Sequence, residues 1–208
     1  MTGLLMVLTD PPAGDELAFH DWYDRHAAAR LTVPGITSAR RYRAVAGEPA
    51  HMADYELDDV AVLDSPEYVT LRENRPPGEP EMLASLPAPP DRRVYTAVRE
   101  FVSDGWDPDA ATVAVAVWMT VDDPDDFARW YSEEHIPLLF KVPGWMRTRR
   151  YELVAGGGPT HLALHDLSRI EAVDDPIGAP ARNTAWRDRV IAYRTAYERR
   201  VYTLVRAM

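Results

Sequence analysis

Two glutamates and a histidine follow an aromatic pair in the second half of the chain, in the order Trp130, Tyr131, Glu133, Glu134 and His135. An imidazole is the usual proton donor or acceptor near neutral pH, and a nearby carboxylate can orient it or act as the base. We therefore interpret His135 as a candidate general acid or base, helped by Glu134. The alternatives are a histidine that only packs or caps its helix and a glutamate pair on a solvated helix face.

A strand after this helix supplies candidate groups for binding negative charge. Side chains alternate along a strand, so the spacing predicts that Trp145, Arg149 and Tyr151 share one face. Arg149 or Tyr151 could then bind a carboxylate or stabilise an oxyanion formed during catalysis. The alternative is ion pairing with nearby acids, which we expect above all for Arg150, since it points the other way.

Two histidines follow on the next predicted strand, His161 and His165. A separation of four residues suits a metal site on a helix, but on a strand it places the two side chains ~13 Å apart at about 3.3 Å per residue. We therefore expect no metal site and no cofactor. Both histidines, together with Trp118 and Tyr131, are expected to line a substrate pocket instead.

The chain contains two similar halves, because ten residues recur about 109 positions later. The first set is Phe19, Trp22, Tyr23, His26, Val33, Pro34, Gly35, Arg40, Arg41 and Tyr42; the second is Phe127, Trp130, Tyr131, His135, Val142, Pro143, Gly144, Arg149, Arg150 and Tyr151. One extra residue separates tyrosine from histidine in the second set. With Pro137 just beyond, this insertion predicts a π-bulge or a kink.

Each half predicts the element order βαββαβ, with apolar strands, a helix behind an aspartate cap, and a hairpin after the Val-Pro-Gly turn. We expect repeat 1 over residues 1–102, a linker over 103–111 and repeat 2 over 112–208. Further expectations are a helix over 64–74, a Pro-rich loop over 76–90, and a long helix over 181–197 that precedes a strand from Arg199. Two four-stranded antiparallel sheets, each covered by helices on one face, would bury their other faces against each other.

Composition excludes several function classes. The 208-residue chain has a net charge of -10, which argues against binding to phosphate backbones. It has no cysteine, so disulfides, thiolate metal sites and a cysteine nucleophile are excluded. No segment approaches the ~20 apolar residues of a membrane helix or has the pattern of a signal peptide. We expect no nucleic-acid or membrane partner and a cytoplasmic location.

The motif from Trp130 to Pro137, followed by Val142-Pro143-Gly144 and by Arg149-Arg150-Tyr151, resembles the EthD-type branch of the dimeric α/β barrel superfamily. The first half matches only partly, since it lacks the Glu-Glu pair and the Ile-Pro step. The resemblance implies an α+β fold of two tandem ferredoxin-like units that form a pseudo-dimeric barrel within one chain. It also implies a pocket between the sheet and helices of each unit, and a fused pair that could still associate with a second copy.

We hypothesise a cofactor-free enzyme that acts on a small aromatic or polyketide-like carbonyl compound. His135 and Glu134 would move a proton, Arg149 or Tyr151 would stabilise the oxyanion, and dehydration, isomerisation or cyclisation would follow. One alternative is a monooxygenase, either cofactor-free or dependent on haem held by a histidine. Another is a non-catalytic protein that binds a small ligand, since fold alone does not fix function.

Overall fold

The computed structural model describes residues 2–208, which divide into two compact units. Unit 1 runs up to Ala97 and includes Val154–Gly157 and Leu204–Met208, whereas unit 2 comprises Val98–Leu153 and Gly158–Thr203. Each unit has its own apolar core on the face of its sheet that the helices cover. Among the described residues, no helix is both long and apolar enough to cross a membrane.

Unit 1 is built on a four-stranded antiparallel sheet in the order β4, β1, β3, β2. Its elements are β1 (Gly3–Thr9), α1 (Glu16–Arg30), β2 (Ile36–Ala44), β3 (His51–Leu57), α2 (Pro66–Glu73), α3 (Glu79–Ser85) and β4 (Asp91–Val102), whose last residues belong to unit 2. Helix α1 buries Phe19, Trp22, Tyr23 and Ala27. These residues recur at helical spacing, so the sequence itself forms the face that packs on the sheet.

Unit 2 has the sheet order β8, β5, β7, β6. Its elements are β5 (Val113–Val121), α4 (Pro124–Trp130), a π-helical turn (Tyr131–His135), α5 (Ile136–Leu139), β6 (Trp145–Ala155), β7 (His161–Leu167), α6 (Ala185–Ala192) and β8 (Arg194–Ala207). By hydrogen bonding the strands follow the closed order β1, β3, β2, β8, β5, β7, β6, β4, an eight-stranded antiparallel barrel. The predicted α+β class and barrel topology are confirmed.

The helix that carries the candidate histidine starts and deforms where the sequence predicts. The Asp123 carboxylate accepts a hydrogen bond from the backbone N–H of Asp126 at 2.9 Å, and Pro124 opens α4. The predicted π-bulge is confirmed by the π-helical turn over Tyr131–His135. Pro137 contributes to this geometry because it has no N–H to donate to the preceding turn.

Two of the predictions about helices are wrong. The predicted helix over 181–197 is replaced by short 3-10 turns, by α6 and by a strand that begins at Arg194. Thr184 is the true cap, since its hydroxyl accepts from the N–H of Arg187 at 3.0 Å, and the alternation after Tyr193 favours a strand over a helix. The predicted loop over 76–90 contains α3, which starts after Gly78 with Pro80 in its first turn.

Candidate functional site

A cavity of about 290 Å³ lies between the sheet and the helices of unit 2. Its wall combines strand residues from β5 to β8 with residues of α4, the π-helical turn, α5 and α6. The lining residues used below are Trp130, Tyr131, His135, Trp145, His165, Arg187 and Arg199. The volume matches the lower end of the range for small-molecule sites, and most of the wall is apolar or aromatic.

His135 is held at the end of the π-helical turn by an aromatic ring and a carbonyl. Its imidazole stacks on the Trp130 indole, with 4.3 Å between ring centroids and 26° between planes. Its Nδ1 lies 3.2 Å from the backbone oxygen of Ala181. Because burial removes water from the ring, the pKa of His135 is lowered to about 4. The side chain is therefore neutral at pH 7.

The carbonyl of Ala181 fixes the tautomer of His135. A carbonyl oxygen can only accept a hydrogen bond, so the Nδ1 of His135 must carry the proton and donate it. Nε2 then has a lone pair, and among residues 2–208 it has no hydrogen-bond partner. His135 therefore presents a neutral, unprotonated nitrogen to the cavity, which is the state that a general base requires.

His165, on β7, has the opposite tautomer. Its Nδ1 accepts from the indole N–H of Trp145 at 3.3 Å and lies 2.8 Å from the hydroxyl oxygen of Thr148. An indole nitrogen can only donate, so Nδ1 is unprotonated and Nε2 carries the proton. Burial is the main cause that lowers the pKa of His165 to about 3, and nearby positive charge contributes to the same value. His165 thus offers the cavity a neutral N–H donor.

Arg199 adds a positive charge to the same cavity. It lies on β8 opposite Val117 of β5, and its charge also lowers the pKa of His165. No other described side chain forms an ion pair or a hydrogen bond with its guanidinium. A hydrogen-bond donor and a nearby cation together suit an oxygen that gains negative charge during a reaction. Sequence reasoning missed Arg199 because the long-helix prediction placed it at the start of a strand rather than in its middle.

Among residues 2–208, no hydrogen bond or ion pair joins the side chains of Glu134 and His135. Its Oε1 accepts from the Trp130 indole N–H at 3.2 Å and from the Thr184 hydroxyl at 2.6 Å. His135 stacks on the same indole, so Glu134 links the ring beneath His135 to the cap of α6. The carboxylate does not line the cavity, so its predicted role as a base is not supported by this geometry.

Arg149 and Tyr151 do not line the cavity, and neither does Trp118. Trp145 and Arg149 were predicted to share one face of β6, but a β-bulge between Trp145 and Arg147 places them on opposite faces. Trp145 faces the helices, whereas Arg149 faces away from them. Arg149 donates to the Asp166 carboxylate at 3.1 Å, so it is the ion-paired arginine. Arg150, for which ion pairing was expected, instead lies over the Tyr131 ring at 5.0 Å.

Tyr131 lines the cavity as predicted, and it packs edge-on against His135 with ring centroids 5.1 Å apart. Burial raises the pKa of its phenol, so the hydroxyl stays neutral. His161 lies outside the cavity, where its ring contacts that of Phe127 at 5.1 Å. The structure thus brings together three of the eight predicted site residues, namely His135, Tyr131 and His165.

One group in unit 1 has metal-like composition, namely Glu16, His20 and His51. The Nε2 atoms of both histidines lie 3.8 Å from the Glu16 carboxylate. However, a guanidinium nitrogen of Arg41 lies 2.7 Å from the Nδ1 of His20 and can only donate to it. Neutral His20 is then protonated on Nε2 and has no lone pair there for a metal. The group suits ion pairing rather than metal binding.

No family model and no curated protein matches the sequence. Solved structures do match. An anthrone oxidase-like protein gives a TM-score of 0.69 at 12% identity over 100% of this chain and 92% of its own. A candidate monooxygenase from Fusobacterium nucleatum subsp. nucleatum gives 0.66 at 9% identity, with 99% and 93% covered. A mutant chlorite dismutase from Candidatus Nitrospira defluvii gives 0.65 at 8%, with 99% and 91% covered.

At these identities the likeness concerns the fold alone, which is that of the dimeric α/β barrel. The barrel fold that the resemblance implied is confirmed. The EthD-type branch is not identified by these comparisons and stays a prediction. The names of these three neighbours describe an oxidase-like protein, a monooxygenase and a dismutase, and none describes a lyase or an isomerase.

Proposed function

We propose that unit 2 is an acid-base active site that removes a proton next to a carbonyl group of a small aromatic or polyketide-like compound, without a cofactor. The observation that carries this proposal is the pair of neutral imidazoles of opposite tautomer on one cavity. The Nε2 of His135 can accept a proton, and the Nε2–H of His165 can donate a hydrogen bond. A base and a donor on the same small cavity are what enolisation needs.

The proton of the substrate C–H bond would pass to Nε2 of His135, which makes an imidazolium. Its Nδ1–H remains bonded to the Ala181 carbonyl, and a carbonyl dipole stabilises that positive charge. The electron pair of the C–H bond would move onto the substrate oxygen. His165 and Arg199 would stabilise the resulting enolate, in place of Arg149 and Tyr151. If a hydroxyl lies β to the carbonyl, it leaves as water with the proton from His135.

A second candidate outcome is cofactor-free oxygenation of the same anion. The names of the structural neighbours, an anthrone oxidase-like protein and a candidate monooxygenase, favour this alternative. An electron-rich enolate or phenolate can be oxidised by O₂, and conversion of a ring CH₂ to C=O with one O₂ releases one water. The proton abstraction by His135 is common to both outcomes, so the residue roles above do not change.

Haem is not part of this proposal. Nε2 of His135 would be a chemically suitable iron ligand, because its Nδ1 donates to a carbonyl as in many metal-bound histidines. The cavity of about 290 Å³, however, is at the lower size limit for drug-sized ligands, and a porphyrin is larger than these. We expect a purified protein without visible absorbance that takes up no added haemin. A Soret band after haemin addition, lost in His135→Ala, would instead support the haem alternative.

Deuterium exchange tests the shared step directly. Hydroxyaromatic ketones and 1,3-dicarbonyl compounds are incubated with the protein in D₂O, and loss of the substrate C–H signal is followed by NMR. Because the pKa of His135 is lowered to about 4, the enzymatic rate should stay level from pH 7 to about 5 and fall only below that. Exchange no faster than in buffer, or a fall centred on the ordinary histidine pKa of about 6.5, would contradict the assignment of His135.

We also infer that the two units arose by duplication, as the recurring motif predicts. Both have a sheet in which the first strand pairs with the third and the fourth, and the aromatic helix follows the first strand in each. The repeat boundaries at 1–102 and 112–208 remain our proposal. Under this proposal, unit 2 has kept a polar cluster that unit 1 has lost.

A further inference from the structure

A second cavity, of about 520 Å³, lies within unit 1 and takes no part in the chemistry proposed above. Its apolar wall comes from β1, α2 and the segment after α3, and includes Leu5, Val7, Tyr68 and Leu86. Pro87, Ala88, Pro89 and Pro90 close one side. Because prolines fix φ, this side is a stiff wall rather than a freely moving loop. A small apolar group could be buried there.

Positive charge surrounds this apolar wall. Four arginines line the cavity, and none of its lining residues is acidic: Arg30, Arg72, Arg75 and Arg92. Such a concentration contrasts with the net charge of -10 of the chain. Arg75 lies 3.7 Å from Glu79, and Arg30 donates to the backbone oxygen of His26. Arg72 and Arg92 form no side-chain hydrogen bond or ion pair with any residue in 2–208, so their charges are available to a ligand.

Unit 1 has no counterpart of the donor in unit 2. Strand register places Tyr55 opposite Leu5 and Ala39, at the position that His165 occupies opposite Val115 and Thr148. Tyr55 does not line the unit 1 cavity. His26 does, and its Nδ1 lies 3.0 Å from the Glu79 carboxylate. No second imidazole of residues 2–208 faces this cavity, so it lacks the pair on which the acid-base site of unit 2 depends.

We propose that unit 1 binds a small organic carboxylate with an apolar body, independently of the reaction in unit 2. The body lies against Leu5, Val7 and Leu86, and the carboxylate lies among the arginines, with Arg72 and Arg92 supplying the uncompensated charge. Arginine suits this task because its planar guanidinium binds both carboxylate oxygens and stays charged. The arginine charges would not increase the affinity for an uncharged molecule or for an organic cation.

Octanoate and 1-octanol are a matched pair of probes, since they share the apolar chain and differ in charge. Binding is followed by the ring proton signals of His26 for unit 1 and of His135 for unit 2. We expect octanoate to shift the His26 signals saturably and more strongly than 1-octanol does, and added salt to weaken the binding. Equal affinity for both probes, or no saturable shift at His26, would overturn the proposal.

Paired substitutions then locate the charge. Arg72→Ala combined with Arg92→Ala should weaken octanoate binding at His26 by about 3- to 30-fold, the range expected for two partly exposed ion pairs. The control is Arg182→Ala with Arg187→Ala, which removes two arginines from the unit 2 cavity and should leave the His26 shifts within about twofold. All four side chains are at least partly exposed, so folding should be retained. The same loss of affinity in both pairs would reject a unit 1 site.

A blocking variant provides a second test without removing charge. Ala88 is exposed at the proline wall, and Ala88→Trp should fill part of the cavity and abolish the octanoate shift at His26 while the unfolding midpoint changes little. Unchanged octanoate affinity in this variant would place the ligand elsewhere. Ala88→Trp and the pair Arg72→Ala with Arg92→Ala leave His135, His165 and Arg199 unchanged. Deuterium exchange in unit 2 should therefore persist in these variants, so the two proposals can fail separately.

Discussion

The aromatic helices of the two units differ by one inserted residue, yet each packs a buried histidine against a tryptophan. In unit 1, α1 runs without interruption from Glu16 to Arg30, and His26 tilts over Trp22 with ring centroids 4.7 Å apart. In unit 2 the inserted residue makes a π-helical turn, and His135 stacks on Trp130 at 4.3 Å. Both histidines have a pKa lowered to about 4 by burial. A neutral base is therefore common to both units.

The donor on the facing sheet is what separates the units. His165, with its partners Trp145 and Thr148, occupies unit 2, whereas the equivalent positions in unit 1 hold Tyr55, Ile36 and Ala39. Ile36 and Ala39 cannot donate a side-chain hydrogen bond. The same scaffold therefore supports a base and a donor in one unit and a base with a cationic, apolar cavity in the other. A single aligned histidine therefore does not define the site.

Removing the base should have the largest effect and should be specific to one unit. We expect His135→Gln to lower substrate deuterium exchange by about 10²- to 10⁴-fold, because general-base catalysis contributes about that factor. The matched variant His26→Gln should change the rate by less than about twofold. Both rates are measured by NMR on protein with an unchanged far-UV circular dichroism spectrum. Comparable losses in the two variants would place catalysis in both units, or in neither histidine.

Removing the donor should have the next largest effect. His165→Phe removes the N–H donor from unit 2, and the loss of one oxyanion donor is worth about 10²- to 10³-fold in turnover. The rate should fall at saturating substrate, since the donor acts on charge that develops during the reaction. The variant Tyr55→His should not create activity in unit 1, because Ile36 and Ala39 cannot fix its tautomer. A loss confined to the Michaelis constant would assign His165 to substrate binding alone.

The sequence was most informative where local spacing decides the structure. The Asp123 cap, the aromatic stripe and the inserted residue before His135 are local features, and each gave the observed helix or turn. The predicted orientation of the β6 side chains was wrong because the bulge at Trp145 shifts their alternation. No local feature of the sequence marks this bulge. The charge partners of Arg149 and Glu134 come from other elements, Asp166 on β7 and Thr184 before α6, so spacing alone could not identify them.

The acid stability of unit 2 should depend on the same donor. The pKa of His165 is lowered to about 3, whereas an unfolded histidine titrates near 6.5. Protons then bind mainly to the unfolded chain between these values, so this contribution to stability is complete above pH 6.5 and is lost as the pH falls. Between pH 7 and pH 5 the free energy of unfolding falls by about 2 kcal/mol from this cause. Urea unfolding should show a pH dependence flatter by about this amount in His165→Phe, and an unchanged slope would contradict the assigned burial.

The smallest effect concerns how each unit holds its tryptophan. Glu134 accepts from the Trp130 indole and the Thr184 hydroxyl, whereas its aligned counterpart in unit 1, Arg25, is exposed. Glu134→Ala removes a charged acceptor from two partly buried donors and should lower the free energy of unfolding by about 1 to 3 kcal/mol. Arg25→Ala should stay within about 0.5 kcal/mol. If Glu134 also positions the base, Glu134→Gln should restore both stability and deuterium exchange, because its amide oxygen still accepts both hydrogen bonds. Restored stability without restored exchange would instead show that the carboxylate charge itself assists His135.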